Sequence, residues 1–227
     1  MAETPKAQQM LDQEMIARIV RHDQSAFSTL YDRLSGPLYS LAVKMLGDPA
    51  EAQDALQDAY DHLLFLFGLL LVAGGFFSAL NIITSFTIAH SITLAVATLR
   101  VVQIPSRIVE PLIAASIVVV GVENLLRGEI PKSRRLLTFG FGLIHGFGFA
   151  SALREAGIAS SAGGIVLPLF SFNLGVELGQ VMVAAVTLPI IWKLRENPIF
   201  IARWTPTCSA AVVLLGSFWF VERVRMA

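Results

Sequence analysis

The sequence predicts an all-α polytopic membrane protein with about six transmembrane helices, preceded by a short soluble helical hairpin. Of the 227 residues, 55% are apolar and only 15% are charged, and the mean hydropathy is +0.66. A soluble domain usually carries about 25% charged residues. Long apolar runs recur after residue 62, whereas polar residues dominate before it. These observations argue against a soluble globular enzyme and place a domain boundary after residue 60.

The first part of the chain, residues 1–60, is predicted to form helices with a solvated acidic face. Residues 1–61 carry a net charge of −5 and show no basic start followed by an apolar core, so we expect no signal peptide. The motif Asp-Pro-Ala-Glu at 48–51 is a strong helix start, because Asp suits the N-cap, Pro the first helical position and Glu the third. Apolar residues at helical spacing from Phe27 to Met45 predict another helix upstream.

A series of short motifs in this first part is spaced as in a known family. The motifs are Asp23-Gln24-Ser25-Ala26-Phe27, Leu30-Tyr31, Leu38-Tyr39, Ala42, Leu46 through Asp54, and Leu56-Gln57-Asp58. Over about residues 10–60 they resemble the start of region two of an extracytoplasmic-function sigma factor. The resemblance implies a truncated hairpin that contacts RNA polymerase or an anti-sigma partner. The parts that read and melt promoter DNA are missing, so we expect no direct DNA binding.

Six apolar runs follow, each close to the roughly 20 residues that a membrane-spanning helix needs. They cover residues 63–80, 81–99, 108–126, 136–153, 174–192 and 207–221. A further apolar stretch at 163–172 would lengthen the fifth span or form a re-entrant segment. The loops after the third and fifth spans carry seven basic residues, against five after the second, fourth and last. The positive-inside rule then places the richer loops in the cytoplasm and the start of the first span outside.

Ionisable side chains within these runs are candidate functional residues, because such groups are costly in a membrane and usually face a bundle interior or a polar path. His90 and His145 are predicted near mid-depth. Four further groups lie where odd-numbered spans begin and therefore share one membrane face: Asp61, His62, Glu110 and Glu177. Glu123 follows Glu110 by thirteen residues and should lie about 20 Å deeper. The expected arrangement is a ladder of ligands for a divalent transition metal, since imidazoles bind such ions and carboxylates add negative charge.

Each candidate also has a purely structural interpretation. A lone histidine can hydrogen-bond a neighbouring helix, Glu123 can pair with Arg127 one turn on, and Asp61 can be an ordinary helix-start acid. Asn173 can cap a helix or donate a ligand oxygen. Four glycines surround His145, and they predict close helix packing or, alternatively, backbone access to an ion: Gly140, Gly142, Gly146 and Gly148.

Motifs of the membrane part occur in the order found in a second family. They are Tyr60-Asp61-His62-Leu63, Ala89-His90-Ser91, Val109-Glu110-Pro111, Val122-Glu123-Asn124, His145-Gly146-Phe147-Gly148 and Phe172-Asn173-Leu174-Gly175-Val176-Glu177. Over about residues 59–224 they resemble the HupE/UreJ family of membrane proteins. The resemblance implies a nickel or cobalt permease of the bacterial inner membrane that works with metalloenzyme maturation proteins. The family usually carries a Gly and a further His ahead of Asp-His, where this chain has Ala59 and Ala55.

The sequence therefore predicts a permease that transports nickel or cobalt as its substrate and holds no permanent cofactor. Two alternatives remain: a haem-binding membrane protein with His90 and His145 as axial ligands, and a membrane-tethered regulator that uses the sigma-like hairpin. An intramembrane hydrolase is disfavoured, because Ser91 and His90 are neighbours on one helix and no G-x-S-x-G motif occurs. The chain has no ATP-binding P-loop, so direct use of ATP would require a partner.

Overall fold

The structure is a computed structural model that describes residues 36–44, 46–127, 134–155 and 166–226. Within these ranges the chain is helical and contains no β-strand, which confirms the all-α prediction. The chain divides into two compact units, Met1–Leu56 and Gln57–Ala227. The predicted boundary after residue 60 therefore lies a few residues into the second unit. Most of the predicted sigma-like hairpin lies outside the described residues.

In the first unit, residues 36–44 are helical and a tight turn follows at Gly47, whose φ is 80°. The backbone N–H of Ala50 donates to Asp48 Oδ1 at 2.7 Å, and helix α1 begins at Pro49. The helix start predicted from residues 48–51 is thus confirmed, with Asp48 as the N-cap and Pro49 in the first helical position.

Six α-helices account for most of the described chain. They are α1 (Pro49–Leu71), α2 (Phe76–Thr98), α3 (Ser106–Arg127), α4 (Arg134–Glu155), α5 (Val166–Arg195) and α6 (Thr205–Met226), and a π-helical turn at Phe200–Trp204 precedes α6. The first predicted run, 63–80, is wrong, because α1 ends at Leu71 and α2 begins at Phe76. Gly74 and Gly75 lie in the connecting turn, and this glycine pair is the sequence signal that marks it.

Four stretches of the described chain are long and apolar enough to cross a membrane: Phe76–Thr98, Ser106–Leu126, Leu169–Arg195 and Phe200–Met226. The six predicted spans are not confirmed, because α1 and α4 do not meet this measure. The first half of α1 is polar, and α4 carries charged residues at both ends and glycines between them.

The second unit has an apolar surface and a partly polar interior. Phe77 and Leu126 are each 79% exposed, and Leu214 is 71% exposed. Polar side chains are buried instead: Asp61, Thr87, His90, Thr93, Thr98, Ser116, Asn124, Arg134, Thr138, His145, Gln180, Ser209 and Arg223. This distribution is typical of a helix bundle surrounded by lipid, since apolar patches of this extent are rare on soluble monomers. With the apolar helices it indicates an integral membrane protein.

Contacts between side chains show how the helices of this unit alternate in direction. Phe65 of α1 contacts Phe86 of α2, and His62, earlier in α1, contacts His90, later in α2, so these helices are antiparallel. In contrast, Gly142 of α4 lies against Phe86 and Gly146 against His90, so α2 and α4 run in the same direction. Near its carboxyl-terminal end, α1 buries Phe65, Leu66, Leu69 and Leu70 among α2, α3, α5 and α6.

Candidate functional site

Three histidine side chains from three different helices meet in the interior of the bundle. The ring of His62 on α1 lies edge-to-face against His90 on α2 and His145 on α4, with ring centroids 5.5 and 4.9 Å apart. His90 and His145 are fully buried. We call these three residues the histidine cluster. It brings His90 and His145 to the same level of the bundle, and it also contains His62, which was expected nearer to one end.

The position of His62 differs from the prediction because the first apolar run was expected to continue to residue 80, whereas α1 ends at Leu71. With α1 ending at Leu71, His62 lies about 14 Å before its carboxyl-terminal end rather than at the start of a span. Glu177 is displaced for a similar reason, since α5 begins at Val166 and places Glu177 about 16 Å inside the helix.

Each histidine of the cluster uses one ring nitrogen in a hydrogen bond. His90 Nδ1 lies 3.4 Å from Asn173 Oδ1, and His145 Nε2 lies 2.8 Å from Ser116 Oγ. His62 bonds the backbone of Asp58, one turn earlier in α1. The remaining nitrogens are buried and have no hydrogen-bond partner among the described residues: His62 Nε2, His90 Nε2 and His145 Nδ1.

The hydrogen-bond partners also determine which nitrogen carries the proton. The amide nitrogen of Asn173 donates to Leu169 O at 3.0 Å. Its Oδ1 therefore faces His90 and accepts a hydrogen bond from the N–H at Nδ1. Ser116 donates its hydroxyl to Ile113 O at 2.6 Å, so it accepts from His145 Nε2. A neutral imidazole that donates from one nitrogen has a lone pair on the other. The unpartnered nitrogens of His90 and His145 are therefore acceptors, which is the form that binds metal.

Phenylalanine rings surround the histidine cluster. His62 contacts Phe86 and Phe149 at centroid distances of 5.2 and 5.1 Å, and Phe65 contacts His145 at 4.8 Å. In the part of the chain that the structure describes, no group of three or more His, Cys, Asp or Glu side chains is arranged to hold a metal ion as it stands. The imidazoles pack edge-to-face, so their lone pairs do not converge on one point in this arrangement.

Asp61 precedes His62 and faces a different neighbour. Its carboxylate is buried and accepts a hydrogen bond from Arg223 Nη2 of α6 at 2.6 Å, and Gln57 Nε2 lies 3.3 Å from its other oxygen. Arg223 Nη1 also donates to the backbone carbonyl of Glu110 at 3.2 Å. Asp61 and Glu110 are thus neighbours through Arg223, in agreement with their predicted common face. The helix-start interpretation of Asp61 is wrong, because this residue lies in the middle of α1.

One face of α5 presents three polar side chains to α2. Asn173 contacts His90, and Gln180 Oε1 accepts a hydrogen bond from Thr87 Oγ1 at 3.1 Å. Glu177 lies four residues after Asn173 and three before Gln180, so it shares this face. It therefore lies at the depth of the histidine cluster rather than at a membrane face. Asn173 is inside α5 and does not cap it.

Glu123 belongs to a second polar group, at the other end of the bundle interior. Its Oε2 lies 3.7 Å from Nη1 of Arg134, which is only 2% exposed. Arg134 Nη2 donates to Asn124 Oδ1. Arg134 Nη2 and Asn124 Nδ2 also both donate to the carbonyl of Gly68 near the end of α1. The predicted partner of Glu123 was Arg127, whose side chain lies outside the described residues. Glu123 and Glu110 remain about 20 Å apart along α3, as predicted.

The family model described as HupE / UreJ protein matches residues 53–223, which is most of the chain. The chain belongs to the HupE/UreJ family. All eight predicted site residues lie inside the matched range. No curated protein and no solved structure matches the chain. The sigma-factor resemblance of residues 10–60 gains no support from these comparisons.

Membership of the HupE/UreJ family assigns the chain to a transporter-type membrane family, associated with nickel and cobalt transport, rather than to an enzyme family. Two residues of this HupE/UreJ protein that shape the site escaped the sequence analysis. Ser116 is an isolated hydroxyl in an apolar run and gave no signal of its own. Arg223 was counted as a loop charge, although its place within the last helix next to a long apolar run could have indicated a buried partner.

Proposed function

We propose that this HupE/UreJ protein is a permease for a divalent transition metal, nickel or cobalt, and that the histidine cluster is its binding site within the membrane. One observation supports this proposal above the others. The His62 ring contacts the two fully buried rings of His90 and His145, and each of the three keeps one buried nitrogen without a partner among the described residues. Leaving buried polar atoms unpaired is costly, so such atoms call for an explanation. A transient metal ligand set supplies one.

The chemistry of the donors suits these metals. Imidazole nitrogen binds nickel and cobalt well, although ligand type alone does not separate them from zinc or copper. Hydrogen bonds from the opposite ring nitrogen to Asn173 and Ser116 are the usual way in which proteins orient metal-binding imidazoles. Because the rings do not converge on one point, each binds an ion weakly at first, and weak binding allows an ion to leave again.

Carboxylates complete the proposed path. Asn173 contacts His90, and Glu177 follows it by one turn of α5. Asp61 precedes His62 and is connected through Arg223 to the backbone of Glu110, and Glu123 lies toward the opposite end of α3. The carboxylates among these side chains would offset part of the charge of a divalent cation that has lost its water shell. In this proposal the protein lies in the bacterial inner membrane, and the metal is its substrate rather than a resident cofactor.

The proposal is tested by uptake of radioactive nickel into cells that express the full chain. His62→Ala, His90→Ala and His145→Ala should each lower the initial rate at least about tenfold, because each removes one nitrogen ligand. His22→Ala is the matched control, since His22 lies outside the residues that match the family. Comparable membrane levels of every variant are confirmed by immunoblot. Unchanged uptake in all three cluster variants would contradict the proposal.

The two alternative functions considered from the sequence remain predictions. Residues 10–60 would hold RNA polymerase or an anti-sigma partner if the sigma-like hairpin were functional, and a pull-down would detect either partner. A haem ligated by His90 and His145 would give a Soret band in the purified protein.

A further inference from the structure

Arg223 is a positive charge built into the interior of the second unit. Its side chain is 7% exposed and its partner Asp61 is 1% exposed, with 2.6 Å between Nη2 and Oδ2. A second hydrogen bond, from Nη1 to the carbonyl of Glu110, ties the guanidinium to α3. A buried ion pair of this kind is a weak source of stability, because both charges lose their hydration. Its position next to the histidine cluster suggests another role.

Both members of this pair lie close to the imidazoles. Asp61 is the residue before His62 in α1. Arg223 bonds the carbonyl of Glu110, which lies six residues, about 9 Å along α3, before Ser116, the hydrogen-bond partner of His145. In a protein interior the electrostatic interaction between two charges is stronger than in water, because the low dielectric constant screens it less. A divalent cation at the histidine cluster is therefore attracted by Asp61 and repelled by Arg223. In the intact protein these two effects largely cancel.

We propose that Arg223 is an affinity-determining residue, a tethered positive charge that weakens divalent-cation binding at the histidine cluster so that the ion can be released. This inference rests on the proposed function, because it assigns a role to a neighbour of the same site. Without Arg223, the unpaired carboxylate of Asp61 would hold the ion more tightly and slow its departure. Without Asp61, the unpaired guanidinium would oppose entry of the ion.

The proposal makes a prediction about the sign of each charge change. Arg223→Gln should lower the Kd for nickel about tenfold, because removal of the positive charge leaves the attraction of Asp61 for the ion unopposed. Asp61→Asn should raise the Kd, and the Asp61→Asn/Arg223→Gln double variant should return close to the value of the unchanged protein. The Kd is measured by titration calorimetry with nickel chloride on the purified full chain in detergent.

Arg225→Gln is the matched control, because Arg225 lies two residues after Arg223 on the same helix and its side chain is exposed. It should leave the Kd unchanged. A purely structural role for the ion pair predicts a different pattern. In that case Arg223→Gln and Asp61→Asn would both raise the Kd for nickel and would both lower the stability of the protein. That pattern, or an unchanged Kd in a folded Arg223→Gln protein, overturns the proposal.

Two comparisons keep the test decisive. If Arg223→Gln does not fold, the same charge is removed in the Asp61→Asn background, where adding Arg223→Gln must tighten binding; no gain there overturns the inference. The His90→Ala variant separates the two proposals. If it binds nickel as the unchanged protein does, the proposed function fails, whereas weaker binding in His90→Ala with no gain in Arg223→Gln removes the role of Arg223 alone.

Discussion

Ser116 determines the tautomer of His145. Because Nε2 donates to the Ser116 hydroxyl, the lone pair is on Nδ1. The Ser116 hydroxyl donates to Ile113 O and accepts from His145 Nε2, so the ring has one protonation pattern and one orientation. Asn173 does the same for His90. Both imidazoles are thus oriented by a hydrogen bond from the ring nitrogen that faces away from the cluster, an arrangement common around metal-binding histidines.

Ser116→Ala should weaken nickel binding about 10- to 100-fold, because the His145 ring loses the acceptor that sets its tautomer. Titration calorimetry on the purified variant measures the change. Ser91→Ala is the control, since the Ser91 hydroxyl donates to the backbone of its own helix, at Thr87 O with a distance of 2.7 Å, and not to a histidine ring. Equal affinities of the two variants would show that Ser116 does not position the ring.

The sequence alone was sufficient to expect His90 and His145 in the interior, because an ionisable side chain in the middle of a long apolar run is costly where it faces lipid. It was not sufficient for Ser116, since a single hydroxyl is tolerated almost anywhere on a helix where it can bond its own backbone. Which face of a helix meets which neighbour depends on packing between distant segments, so the partners of Asp61 and Glu123 could not be assigned from spacing.

At the level of whole helices, α2 and α4 approach each other closely where glycines lie on α4. A Cβ atom at Gly142 would be 2.5 Å from Phe86 O, and one at Gly146 would be 2.5 Å from His90 O. Gly140 has no atom of the described residues within 4 Å of such a Cβ. The predicted packing role is therefore confirmed for Gly142 and Gly146 and is wrong for Gly140.

Gly146→Ala should destabilise the bundle by about 1–3 kcal/mol, because the added methyl group collides with backbone and forces α2 and α4 apart. Gly140→Ala should instead be neutral or stabilising by up to about 1 kcal/mol, since alanine favours the helix and meets no neighbour. Thermal unfolding in detergent compares the two variants. A Tm for Gly146→Ala at or above that of Gly140→Ala would contradict the close approach.

The ends of the helices were predicted well where charge or proline marks them and poorly where apolar sequence continues through a turn. The run at 108–126 corresponds to α3, Ser106–Arg127, and its limits agree within two residues. By contrast, the turn between α1 and α2 lies in uninterrupted apolar sequence, and only Gly74 and Gly75 mark it. This one error moved His62 from the interior to a predicted membrane face.

For the whole second unit, the number of membrane crossings depends on α1 and α4. Helix α4 runs in the same direction as α2 and packs along it. Its 22 residues extend about 33 Å, enough for a bilayer core. Its low hydropathy follows from its role, since it presents His145 and glycines to the interior instead of a full apolar surface to lipid. We therefore expect α4 to cross the membrane although its composition alone does not indicate it.

Reporters fused after Arg127 and after Glu155 should lie on opposite sides of the membrane. An alkaline phosphatase and a fluorescent protein at each position give complementary signals, because the first is active only outside the cytoplasm and the second only inside. Fusions after Gly75 and after Arg100 flank α2, which has the length and hydropathy of a span, and serve as the control. The same side for both α4 reporters would exclude a crossing.

Backbone carbonyls at the end of α1 and in the turn that follows it are bonded by three later helices. Asn124 of α3 and Arg134 of α4 donate to Gly68 O, and Arg195 of α5 donates to Ala73 O at 3.0 Å. While the chain is being synthesised, these groups have to remain hydrated or exposed until α3, α4 and α5 have emerged from the ribosome. The first apolar helix to be made is consequently among the last to reach its final environment, and a chain stopped before Arg134 cannot assemble its own centre.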